Sequence, residues 1–161
     1  MENLLGKWLG AEMLSLEEEA GALLTLGEKT KSRGVYLTAA EAREVAQSHR
    51  ESLKKARRLE FDQGPVEKLA LAFCGSQHIS REDWAEALEI LTDLFYQCKN
   101  ETWDRMGDDD LISLLQEAFE SCGGSFDLLE SEILPQLGRF VRAGGDPCAF
   151  VLPERMDRWE C

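Results

Sequence analysis

The stretch "SREDWAEALEILTDLFYQCKNETW", residues 80–103, decides the fold class. At ~100° per residue, Trp84, Ala87, Leu88, Leu91, Leu94, Phe95 and Cys98 fall within one apolar arc. Glu86, Glu89, Asp93, Gln97, Asn100 and Asp104 fall on the opposite side. The spacing predicts a helix from Ser80 to about Trp103, with Ser80 and Asp83 at its head, one face inside and the other in solvent.

The same periodicity extends in both directions. A first helix is expected from Ser15 to Lys31, with Ser15 and Glu18 spaced as a capping box. A second starts at Thr38, with Glu41 three residues on, and carries Ala42, Val45, Ala46, Leu53, Ala56 and Leu59 inward. "DQGP" at 62–65 ends it, and Pro65 suits the first position of a third helix reaching Cys74. A fifth helix is expected from about Asp109 to Cys122, stopped by Gly123-Gly124. A sixth begins at Ser125, and Pro135 should kink or divide it. Residues 35–37 are the one segment that reads as extended. No internal repeat or low-complexity run stands out. The expectation is an all-α, single-domain bundle of about six mostly antiparallel helices over residues 1–142. Residues 143–161 form a loop-like tail, in which "AFVL" and Trp159 suit docking on the body or pairing with "VYL".

The chain has 161 residues, 43% of them hydrophobic and 30% charged, which is enough for a core and a globular balance. Its N-terminus has neither a basic start nor a long apolar run, and no stretch offers the ~20 apolar residues of a membrane helix. A soluble cytoplasmic protein with no membrane partner is the expectation. The five cysteines are dispersed without a CxxC pair, which reads as reduced thiols and argues against zinc.

The net charge of −13 is uneven. Residues 28–68 hold ten Lys/Arg against seven Asp/Glu, whereas residues 69–161 hold seven against nineteen. An acidic chain repels phosphate backbones, so no nucleic-acid partner is expected. The basic run Arg50, Lys54, Lys55, Arg57, Arg58 reads first as a solvated helix face, and next as a contact with the acidic fourth or fifth helix or with a second subunit.

Three features invite a chemical reading. Asp108, Asp109 and Asp110 sit where a new apolar periodicity starts, so helix capping and the helix dipole account for them without a ligand. A calcium loop fails because an apolar helix stands where its ligands belong. Glu86 with Glu89 and Glu101 with Asp104 have the ExxE/ExxD spacing of magnesium-dependent all-α nucleotide pyrophosphatases. There, however, the pairs come from separate facing helices, and a solvated face explains them better here. Cys74 and His78 are four apart but separated by Gly75. No ExxH, phosphate-cradling glycine loop or dinucleotide fingerprint is present.

"LTAAEAREVAQSHRESLKKARRLEF", "VEKLALAFCGSQHISREDWAEALEILTDLFYQCKNETWDRMGDDDLI" and "GSFDLLE" together resemble a bacterial family of small helical proteins classed only as a domain of unknown function. The resemblance covers roughly residues 29–142 and is most specific at "AFC", "FYQCKNE" and "DDDLI". It implies an all-helical bacterial protein and assigns no catalytic, cofactor-binding or metal-ligating residue. The function expected is a non-enzymatic interaction or regulatory protein, with a protein partner or a homo-oligomer and no cofactor. The alternative is a metal-dependent all-α nucleotide pyrophosphatase-like hydrolase using Glu86, Glu89, Glu101 and Asp104.

Overall fold

The computed structural model describes residues 15–60 and 64–153, and its described residues contain helices and no strand. In chain order α1 is Leu16–Thr30, α2 Ala39–Ala56, α3 Val66–Phe73, α4 Trp84–Glu101 and α5 Asp108–Ser121. The last helix, α6, opens with one α turn at Phe126–Leu128, widens to a π turn over Leu129–Ile133, and resumes over Leu134–Arg142. The all-α bundle of about six helices is therefore what the chain forms. Residues 35–37 are irregular rather than a strand, and Trp159 lies outside the described residues.

Local chemistry explains the boundaries. Thr38 and Glu41 form a complete capping box, whereas at α1 only the Ser15 half is made, its hydroxyl accepting from the Glu18 N–H. The head of α4 differs from expectation. Ser80 Oγ bonds both the Asp83 carboxylate and its N–H, and this closes a tight turn, so the α-helix starts at Trp84 rather than Ser80. Pro65 is the N-cap of α3 and lies just before it. In α6, Pro135 has no N–H for the Ser131 carbonyl, and the ladder loosens one turn earlier, where the Leu134 N–H bonds Leu129 O.

Packing follows one rule along the chain. In one layer Glu41 pairs with Arg81, Lys55 with Asp93, Arg58 with Asp104 and Glu101 with Arg142. In the other Lys29 pairs with Glu67, Lys68 with Asp109, Gln116 with the Ala72 carbonyl and Ser76 with Glu120. The side-chain hydrogen bonds among these span 38 to 46 residues. The helices are thus stacked hairpins: α1, α3 and α5 form one layer, and α2, α4 and α6 the other. Within each layer, helices two apart run parallel, a correction to the mostly antiparallel arrangement expected. The sequence shows no repeat, yet the backbone has one, as in α-solenoids.

The widest helix–helix contact is that of α2 with α4. The expected apolar arc of α4 is buried, Leu88 and Leu91 fully so. Its opposite face is not simply solvated, because Asp93, Asn100 and Asp104 reach α2 and its C-terminal end. The tail docks through Phe150, whose ring lies 5.5 Å from that of Phe140, and through Leu152.

Candidate functional site

Among the described residues, the densest polar chemistry lies between α1, α2 and α4, at His49. The α2 positions Ala42, Val45, Ala46 and Leu53 face the core, and His49 falls on that same stripe, only 5% exposed. Its Nδ1 bonds the Glu19 carboxylate of α1, and its Nε2 lies 2.8 Å from the Tyr96 hydroxyl of α4 and 3.4 Å from Glu60 Oε2. Tyr96 Oη donates to Glu60 over 2.6 Å. With that proton kept by Tyr96 and directed at Glu60, the phenol oxygen is free to accept from His49, so both ring nitrogens donate and the ring is an imidazolium.

The energetics agree. Burial by itself would pull the His49 pKa down, but the hydrogen bonds and charges of Glu19 and Glu60 outweigh it and raise it to about 9. Burial, then the hydrogen bond to anionic Glu60, pushes the Tyr96 phenol up beyond its ordinary range. Arg50 stands 3.7 Å from Glu19, and so a second cation shares that carboxylate. Gly64 closes the site from below at φ +67°, and a Cβ there would overlap both Glu60 and His49. Any other residue would be strained and would displace the network.

This cluster has two carboxylates, an imidazolium and a phenol, all mutually satisfied. It stores charge and positions three helices. Three of the surface clefts lie elsewhere. The largest of these, about 580 Å³, runs between Leu16, the stretch of α2 from Ala40 to Glu51, and Glu89.

The residues singled out from sequence are distributed differently. Asp104 forms a two-pronged pair with Arg58, which holds its carboxyl below the usual range, and Lys99 approaches it at 4.0 Å. Glu101 pairs with Arg142 at 2.9 Å. Glu89 faces the cleft, its carboxyl raised by burial and then by the charges of Glu44, Glu86 and Glu51. Glu86 and Glu89 are therefore separated in role from Glu101 and Asp104. Among the described residues no group of three or more His, Cys, Asp or Glu is placed to hold a metal ion. The three aspartates occupy the first turn of α5, but Gly107 is the N-cap, so the capping half of the expectation is corrected and the dipole half stands. Asp108 is 2.8 Å from Lys99 and Asp109 is 3.0 Å from Lys68. Cys74 donates to Leu71 O while His78 pairs with Glu120 at 3.2 Å, so each has its own partner. Cys98 is fully buried, and that burial pushes its thiol up to about 12.

The basic run is not a solvated face throughout. Arg50, Lys55 and Arg58 are spent on α1 and on α4 with its C-terminal turn. The contact with the acidic fourth helix, second in order from sequence, is what the structure contains.

The His49 network was missed from sequence because each member was judged by its neighbours in the chain. One signal was available: His49, Glu19 and Tyr96 fall on the buried faces of their helices, where a titratable group needs a partner.

No curated protein and no solved structure matches the chain. A family model does match, over residues 22–147, past the Ala143 boundary expected for the pattern. The chain belongs to that family, DUF6323, a family of unknown function.

Proposed function

We propose that this chain is a cytoplasmic interaction or regulatory protein of bacterial origin rather than an enzyme. The supporting observation is the distribution of unpaired charge. Where helix faces helix, acids and bases meet in pairs. Glu44 and Glu89 line the large cleft, Glu86 acts on Glu89 from beside it, and none of the three has a cationic partner among the described residues; burial first, and then the neighbouring carboxylates, raise Glu89. A protein of net charge −13 that keeps an unanswered acidic face can steer a cationic partner surface to it.

The test is a thermal melt with chelator, then with magnesium, manganese and a nucleotide panel. A ligand at 100-fold over its dissociation constant adds about 2.7 kcal/mol, which at this size raises the midpoint by roughly 5 to 11 °C. The interaction reading expects an unchanged midpoint. A rise with metal plus nucleotide, lost in a Glu86→Gln/Glu89→Gln variant, overturns it in favour of the hydrolase.

A further inference from the structure

The parallel α2–α4 pair has two unlike ends. Toward the N-terminal end lies the acidic cleft lined by Leu16, Glu44 and Glu89, with Glu86 close enough to act on Glu89, and none of these carboxylates has a cationic partner among the described residues. Its cation, Arg43, is already bound by Glu17. At the C-terminal end the chemistry is reversed. Arg57 and Arg105 are exposed and have no ion-pair partner among the described residues. Beside them Leu59 is 73% and Trp103 62% exposed.

This corner is also where the backbone is held away from its preferences. Arg57, Trp103 and Asp104 are the described non-glycine residues at positive φ (58°, 52° and 58°). α2 ends in a left-handed cap at Arg57, of the kind glycine usually supplies, and the chain turns left-handed at Trp103 and Asp104 just after Thr102 caps α4. The Arg58–Asp104 pair and the Asn100–Ala56 carbonyl bond clamp the two ends in that form. Cations near helix C-termini are favoured by the dipole, which accounts for the arginines. No described residue accounts for an exposed tryptophan and leucine at this strained, clamped corner.

We infer that this corner docks on the acidic cleft of a second copy of the same chain, head to tail. The deduction rests on the interaction reading above and names its partner. Charge and apolarity complement each other: two arginines and two apolar side chains at one end face unpaired carboxylates and Leu16 at the other. The two ends cannot meet within one molecule, since Glu44 and Arg57 are thirteen residues apart on α2, roughly 20 Å along the helix. The contact is heterologous, so unless a ring closes it builds chains rather than a two-fold dimer.

The experiment is sedimentation of the full chain over a wide concentration range at low and at moderate salt, with two charge-reversed variants. Wild type is expected to associate with concentration and to lose that association as salt rises. Glu44→Lys/Glu86→Lys and Arg57→Glu/Arg105→Glu are each expected to stay monomeric alone. Mixed one to one, they are expected to associate, because each interface then joins opposite charges. Trp103→Ala is expected to weaken wild-type association. All the substitutions are at exposed positions, and circular dichroism melts verify that each variant folds; if Arg57→Glu disturbs its cap, Arg105→Glu alone replaces that pair. Wild type that stays monomeric throughout overturns the head-to-tail contact while leaving the broader interaction reading to its own ligand panel. Association that survives both reversals, or that the mixture does not restore, overturns it as well.

Discussion

His49 keeps its proton in the interior because Glu19 and Glu60 face it from two other segments. The linkage to folding follows from the direction of the shift. The folded pKa of about 9 lies above the ordinary histidine value of 6.5. The protonated ring therefore stabilises the fold fully below pH 6.5, and that contribution is lost as pH rises through about 9. The loss is on the order of 3 kcal/mol. Urea unfolding between pH 6 and pH 10 checks it, and His49→Gln is expected to flatten that part of the profile. Tyr96→Phe removes the hydroxyl between Glu60 and His49 and leaves them only their longer 3.4 Å contact. A cost of about 1–3 kcal/mol is expected at neutral pH, read in the same unfolding series.

At the scale of the helix, the caps divide the work. The reciprocal box of Thr38 and Glu41 starts α2, and Glu41 also holds Arg81 at the head of α4, so one carboxylate registers two helices. Thr38→Ala is expected to cost about 1 kcal/mol and to lower the melting midpoint by roughly 2–4 °C. The α2 cap and the buried arc of α4 were legible in the sequence because both are local patterns, set by spacing within one segment. The start of α4 was misread by four residues because Ser80 and Asp83 fit a cap and a tight turn equally well. The outer face of α4 was misread for a different reason. Asp93, Asn100 and Asp104 are polar, but their partners lie 38 to 46 residues away, and no window of a single helix contains them. The same limit hid the His49 network.

Over the whole molecule, the recurring pairing makes the middle of the stack the best-supported part. Helix α4 touches α2, α3, α5 and α6, whereas α1 and α6 each lie at an end of the stack. Native-state hydrogen exchange is expected to be slowest at Leu91, Leu94 and Phe95 and faster through α1 and the π turn of α6. Leu91→Ala, in the centre of that core, is expected to cost roughly 2–5 kcal/mol in chemical unfolding. The cysteines turn this gradient of order into something that can be timed. Cys148 is exposed, Cys74 is half-buried, and Cys98 sits on α4 itself with its thiol held neutral. Alkylating reagents should consume Cys148 at the rate of an open thiol and reach Cys98 only when the stack comes apart. The protein thus carries its own stopwatch, in which the delay between the first and the last modified thiol measures how often its centre opens.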